Sequence, residues 1–420
     1  MLIDVNAYDP KLLNELALMS ISEQEISQEL EQYLNQYKPC FTRSQQTKYF
    51  NATIQGLLSD LDRKSAEPIA LHFLSPAQVR GQQNFFTRSK DWPQTIKQHY
   101  QTQIATQLNH PDGFLSLDEC CFPKKGTHSA GVARQYCGRL GKTENCQSGV
   151  FLSYASPKGY GLIDNQLYLP QKWFNDDHTQ KRIECHIPKT TQFQTKNEIA
   201  TQLINQTING GQFQVRWLGC DAAFGCDHAF LDALPDTVHY FAAVKETEYI
   251  YRSLPPVGVP KKPVGKGRSA IHPRALERPV CVQELASDDS IAWERRVLAQ
   301  GAKGPIVADV KCIRAHSCRL VNQLLVPGVE VWVYIRRLED GSIKYFLCNA
   351  SVDVSLGVLD LLAVMRWSIE QCFQECKSFL GMGHYETRSY DSWHRHMLLV
   401  MVAHYFTCVL REVFKKRLFF

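Results

Sequence analysis

From Asp112–Gly113 onward the apolar residues of this 420-residue chain change period, and the order of the new segments leaves few architectures open. Before that point, LLNELALM, ISQELEQYLNQY and TKYFNATIQGLLSDL space their apolar residues three and four apart, the spacing of a helix with one buried face. Ser75–Pro76 and Asp91–Trp92–Pro93 mark further helix starts, because proline suits a first turn. After it, FLSLD (114–118), SGVFLSYA (148–155) and residues 160–169 read as strands, the last two joined by a Pro157–Lys158–Gly159 turn. KNEIATQLINQTI (196–208) reads as a helix stopped by Gly210–Gly211. FQVRWLGC (213–220) and VHYFAAV (238–244) complete the strands. Three antiparallel strands, a helical crossover and a parallel strand predict an α/β fold, a mixed sheet with flanking helices.

Residues 246–365 interrupt this order. They hold a Pro/Gly/Lys-rich stretch, LPPVGVPKKPVGKG, and a hairpin in which VWVYIRR and KYFLCNA flank Asp340–Gly341. Residues 356–380 and 391–417 then read as helices separated by Gly381–Met382–Gly383. The expected organisation is an N-terminal helical domain over 1–110, the first part of the α/β core over 111–245, a β-rich insertion over 246–355, and C-terminal helices completing the core over 356–420. With 44% hydrophobic and 21% charged residues, the chain has the composition of a soluble globular protein. The longest apolar run, Met397–Leu410, is broken by His404, so a transmembrane span is not expected, and MLIDVNAYDP lacks the features of a secretory signal. Fifteen cysteines, odd in number and irregular in spacing, fit reduced thiols in a cytoplasmic protein.

Two acids stand where chemistry gathers in α/β sheets. Asp118 and Asp221 both follow apolar runs, at the expected C-terminal ends of strands, where such folds place ligands. Clustered carboxylates repel each other, and a divalent cation removes that penalty; hard oxygen donors suit Mg²⁺. Glu370 is the best third donor. Arg366, Glu370 and Lys377 lie four and seven residues apart, so on one continuous helix they share a face, with Leu362, Ile369 and Phe373 free to anchor the other side. Each acid alone fits a helix cap or a solvated turn equally well, and the Arg–Glu–Lys face fits an ordinary ion-pair pattern. The combination with the strand order points to metal-assisted phosphoryl transfer.

Lys and Arg exceed Asp and Glu by 47 to 42, a modest excess compatible with a polyanionic partner. The basic residues cluster. Lys124, Lys125, Arg134, Arg139 and Lys142 form one group, and Lys261, Lys262, Lys266 and Arg268 a second. Both fit either solvated loops or a phosphate-contacting surface. Trp293, in IAWERR, fits either a buried structural role or stacking on an unpaired base. Cys220, Cys226 and His228, like Cys312, His316 and Cys318, lack the second compact pair of a tetrahedral zinc site. Gly138–Gly141–Lys142 lacks the frame of a Walker loop, and no Gly-x-Ser-x-Gly elbow is present.

The run LDECCFPKKGTHSAGVARQYCGRLGKTENCQSGVFLS resembles the opening catalytic block of IS701-type transposases of the DDE superfamily. WLGCDAAFG resembles the second block, and RWSIEQCFQECKSFLGMGHYETRSYDSWHRHMLLVMVAHYF the third with its C-terminal helix. The resemblance spans roughly 45–410. It implies an RNase-H-like core with Asp118, Asp221 and Glu370 as a metal-binding triad and Glu119 as a neighbour of it. Arg366, Glu370 and Lys377 match the Arg, Glu and Lys of a Tyr–Arg–Glu–Lys signature in related cut-and-paste transposases, while Ala363 stands where the Tyr belongs. The implied cofactor is Mg²⁺, two ions, with Mn²⁺ as substitute. The implied partners are double-stranded DNA bearing transposon terminal repeats, target DNA, and a second copy of the chain in the DNA complex. A stand-alone Mg²⁺-dependent nuclease and a catalytically silent DNA-binding protein are the rival functions.

Overall fold

The computed structural model describes residues 23–88, 91–260, 271–301, 304–321 and 324–418. The expected helix LLNELALM lies outside them. The chain divides into two compact units, one of which spans 216–366 among the described residues and the other 23–215 with 367–418. The N-terminal helices share a unit with the first strands and the last two helices.

The larger unit begins with helices α1 (Glu23–Gln36), α2 (Ser44–Leu58), α3 (Ala66–Phe73), α4 (Val79–Thr87) and α5 (Pro93–Leu108). Strands β1 (Phe114–Pro123), β2 (Ala133–Cys137), β3 (Lys142–Ser156) and β4 (Gly159–Tyr168) follow, then α6 (Thr179–Glu184) and α7 (Lys196–Asn209). In the central unit, β5 (Trp217–Cys220) leads into α8 (Ala222–Gly225), α9 (His228–Asp232) and β6 (His239–Val244). Next come β7 (Tyr249–Tyr251), β8 (Val257–Gly258), β9 (Arg274–Ala275), β10 (Val280–Cys281) and α10 (Val282–Ala286). The long strands β11 (Glu294–Gly301), β12 (Gly304–Val321), β13 (Leu324–Leu338) and β14 (Ile343–Cys348) precede α11 (Leu356–Met365). The larger unit closes with α12 (Ser368–Ser378) and α13 (Tyr390–Leu418). Three long antiparallel strands, a helix and a further strand give the element order of an RNase-H-like, mixed α/β core.

In the larger unit β3 is the centre. It pairs antiparallel with β1 along one edge and with β2 and then β4 along the other. Gln147–Ser156 are buried throughout, so both faces of this stretch are covered and burial does not alternate along it. Helix α7 starts on a capping box, in which Thr195 Oγ1 accepts from the Glu198 amide at 3.2 Å and Glu198 Oε2 accepts from the Thr195 amide at 2.7 Å. Helix α13 is apolar because it is buried: Trp393, Met397, Leu399, Val400, Val402 and Tyr405 are all at or near zero exposure. Its Val402 carbonyl accepts from Tyr33 of α1 at 2.9 Å. Among the described residues no helix is long and apolar enough to cross a membrane.

Gly149 of β3 permits a close approach to Trp393 of α13. A Cβ there would sit 2.7 Å from the Trp393 ring and 2.9 Å from Phe151. Gly149→Ala is therefore expected to destabilise the fold by about 1–3 kcal/mol through overpacking, measured as a lower urea midpoint at unchanged slope.

In the central unit the strand order is β10-β7-β12-β13-β14-β6-β5, with β11 added on β12. Among the described residues of this unit, only β5 and β6 pair in parallel. The anticipated hairpin is present, Arg337 opposite Ile343, and β14 pairs with β6 through Tyr345↔Val244 to Cys348↔Phe241. The β-rich stretch thus continues the sheet of β5 and β6 instead of forming one of its own. Asp360 of α11 is buried and accepts from Tyr334 Oη at 2.8 Å and Arg296 Nε at 2.6 Å, which ties the helix to the sheet. Lys311, only 3% exposed, donates to the carbonyls of Leu285, Ala286 and Asp288 at 3.3, 2.9 and 2.7 Å, satisfying the end of α10.

Candidate active site

Strand β1 does not stop at Asp118. Its ladder with β3 continues from Asp118↔Phe151 to Pro123↔Cys146, and Cys120, Cys121 and Phe122 are buried. The expectation of a strand-end acid here is corrected: apolar side chains continue on both sides of the sheet, so pairing continues and Asp118 sits mid-strand. Alternation places Ser116, Asp118 and Cys120 on one face and Leu117, Glu119 and Cys121 on the other. The first face is turned toward α12. Ser116 Oγ lies 3.4 Å from Ser368 Oγ, and Cys120 is close enough to Cys376 to help raise that thiol's pKa, though burial is the larger cause. Asp118 is half-buried between these two contacts, and its Oδ1 accepts from the Glu119 amide at 2.7 Å. Glu119 turns the other way, into an ion pair with Lys196 of α7.

Glu370 is also half-buried, in the first turn of α12, where a carboxylate complements the helix dipole. Lys377 lies in the last turn with its ammonium 5.2 Å from the Phe373 ring. Glu370 and Lys377 share a helix face, as the seven-residue spacing requires. Arg366 does not join them on one helix. The expected helix over 356–380 breaks at Arg366–Trp367, where Arg366 is the C-cap of α11 and Trp367 the N-cap of α12. The two halves serve different units: α11 packs on β6 and β11, α12 on β1, β3 and β4. Each half packs on its own core. The buried anchors are as anticipated, with Leu362, Ile369 and Phe373 at 1, 0 and 6% exposure.

Asp221 belongs to the central unit and directly follows β5, so this acid does end a strand. It is half-buried and caps α8, its Oδ1 accepting from the Ala223 and Phe224 amides at 3.0 and 3.3 Å. Trp293 is half-buried and lies under two cations, with Lys311 Nζ 4.8 Å and the Arg337 guanidinium 4.4 Å from its ring.

The basic residues differ in setting. Lys125 and Arg134 are exposed, and Lys142 is exposed with Glu144 3.4 Å away. Arg139 falls in the turn Gly138–Leu140. Lys124 is half-buried, its ammonium 3.6 Å from the Tyr385 ring; burial, with Arg63 nearby, draws its pKa down to about 8. Lys261, Lys262, Lys266 and Arg268 lie outside the described residues. On α13, His394 is half-buried and His396 buried; desolvation pulls both down to about 4, and they bond the Tyr390 and Gly381 carbonyls at 3.0 and 3.2 Å.

Neither incomplete zinc pattern assembles among the described residues. His228 instead pairs with Glu248 at 2.9 Å, and Cys226 Sγ accepts from the Lys245 amide at 3.3 Å. Two other clusters, invisible in the spacing, do assemble: Cys121, Cys137 and Cys146, and Glu375, His404 and Cys408.

Comparison with known proteins adds a family. The description of DDE superfamily endonucleases matches residues 36–305, a span that takes in Asp118 and Asp221 and ends before Glu370. A curated relative from Microchaete diplosiphon, "Probable transposase for insertion sequence element IS701", is 25% identical over 228 residues. The matched stretch is 53% of this chain and 55% of the relative, so the chain spans about half the length of the curated relative it matches. Among solved structures, the NurA nuclease of Sulfolobus solfataricus aligns over 78% of this chain and 92% of its own, at 10% identity and a TM-score of 0.28. With more than half of its length matched, the chain belongs to the DDE superfamily endonucleases.

Proposed function

We propose that this chain is a DNA transposase that cuts at the ends of its element and joins the freed 3′-OH to target DNA. The observation that carries the reading is the family match running through Asp118 and Asp221, alongside a relative named for transposition. In this reading Asp118, Asp221 and Glu370 are the carboxylates that hold divalent metal at the reacting phosphate. Their chemistry fits: three hard oxygen donors, each half-buried and so within reach of water, suit Mg²⁺, with Mn²⁺ as substitute. Two such ions, when bound, supply a nucleophile at neutral pH and offset charge on the departing 3′ oxygen.

The chain's own residues do the rest. Lys377 and Arg366 contact phosphate as fixed cations, a role suited to groups charged at neutral pH. The exposed Lys125, Arg134 and Lys142 hold the strand by phosphate contacts, with Lys124 and Arg139 beside them in sequence. Lys261, Lys262, Lys266 and Arg268 supply further phosphate contacts, and Trp293 stacks on an unpaired base near the cut end. Coordinating two element ends calls for two copies of the chain. The N-terminal helices over 1–110 bind DNA, the work being done on the nucleoid.

The test uses the full chain with duplexes carrying the element's ends and a supercoiled target. Cleaved and joined products are expected with Mg²⁺ or Mn²⁺ and neither with EDTA. Cleavage without joining would make the protein a stand-alone nuclease, and binding without either a silent DNA-binding protein.

A further inference from the structure

We propose that Cys121, Cys137 and Cys146 form a binding site for a single thiophilic d¹⁰ cation, Zn²⁺ or Cu⁺, on the face of β1 opposite Asp118. The three come from three different strands, β1, β2 and β3, and are 5, 0 and 0% exposed. Their sulfurs all lie within 4.8 Å of one another. A Zn–S bond of about 2.3 Å sets the sulfurs of a tetrahedral site roughly 3.8 Å apart and those of a trigonal site roughly 4 Å apart, so small χ1 rotations close the cluster on an ion. All three are free thiols, and an odd set cannot be consumed by disulfides within itself.

The surroundings suit a cation held by anions. Glu119 Oε1, 3.5 Å from Cys121 Sγ, is the nearest further donor at the cluster's edge. Ligation exchanges three S–H protons for three metal–sulfur bonds: three thiols with Zn²⁺ give a tris-thiolate of net charge −1, or with Cu⁺ one of −2, and release three protons with no electron transferred. Thiolate sulfur selects soft ions and does not compete for Mg²⁺, so this site is chemically separate from any carboxylate site on the other face. Its consequence is local. An ion bridging β1, β2 and β3 fixes the strand that carries Asp118.

The inference does not rest on the proposed transposition, and its test needs no DNA. Full-length protein, reduced and freed of metal, is titrated with Co²⁺ as a spectroscopic probe for Zn²⁺, and separately with Cu⁺ under anaerobic conditions. The expected result is one equivalent bound in at least one arm, with an intense thiolate-to-metal charge-transfer band that excess Mg²⁺ leaves unchanged. The two arms decide which ion is preferred. Cys137→Ser and Cys146→Ser should each abolish the band, while Cys220→Ser, a buried thiol in the central unit, should retain it. Should a serine variant fail to fold, alkylation mapping of the native chain decides instead: Zn²⁺ or Cu⁺ should slow modification of Cys121, Cys137 and Cys146 at least tenfold and leave other cysteines unaffected. Absence of a stoichiometric thiolate band in both arms, or protection that does not single out these three, overturns the proposal.

Discussion

Asp221→Asn is expected to reduce DNA cleavage roughly 10³-fold or more while leaving DNA affinity and fold stability nearly unchanged. The choice of asparagine follows from the cap. Asp221 Oδ1 accepts from the Ala223 and Phe224 amides, and an asparagine carbonyl accepts from the same two groups, since Asn and Asp are about equal as N-caps. The substitution therefore removes charge and metal affinity but keeps the turn from β5 into α8. Asp221→Ala removes both, and should in addition cost about 1 kcal/mol of stability. Cleavage assays and urea unfolding on the two variants separate the roles. If Asp221→Asn cuts DNA at the wild-type rate, Asp221 is a helix cap and nothing more, and the proposed triad fails. Parallel losses in Asp118→Asn and Glu370→Gln are part of the same expectation.

The sequence was most legible where one local rule governs a segment. The pattern of KNEIATQLINQTI, stopped by Gly210–Gly211, gives α7 nearly to the residue. The runs SGVFLSYA and 160–169 with a Pro157–Lys158–Gly159 turn locate β3 and β4, and Asp340–Gly341 locates the β13–β14 hairpin. What escaped depends on partners far away in sequence. Asp118 looks like the end of a strand because acids usually end apolar runs, but here the ladder to β3 carries β1 on to Pro123. The segment 356–380 has unbroken helical periodicity, and nothing in it announces that its two halves pack on different cores. Strand β5 is only four residues long, Trp217–Cys220, and 213–216 lie outside it. The thiol cluster is hidden for a related reason: gaps of sixteen and nine residues match no compact ligand pair, and only the pairing of three strands brings the sulfurs together.

Glu375→Ala should destabilise the protein by about 3–5 kcal/mol, although Glu375 lies outside the proposed triad. It sits on α12 at 5% exposure, and His404 of α13 pairs with its Oε2 at 0% exposure. Oε1 accepts from Tyr160 Oη at 2.9 Å and Gln371 Nε2 at 3.0 Å. Truncating the carboxylate leaves three buried polar groups without their acceptor, which costs far more than the intact pair is worth. Burial by itself would raise the Glu375 pKa, but the hydrogen bond and charge of His404, with Gln371 and Arg411, outweigh it and hold the carboxyl below its ordinary value. A carboxylate with a lower pKa folded than unfolded adds stability that is complete above the unfolded value, near 4.5, and is lost as pH falls through the folded one. Urea unfolding of the wild type should therefore weaken steeply below pH 4.5. In Glu375→Gln, which retains a carbonyl for Tyr160 but no titrating group, that slope should be shallower. Equal acid slopes in the two proteins would show that the pair stays neutral in the fold, and that α12 and α13 are joined by packing and neutral hydrogen bonds alone.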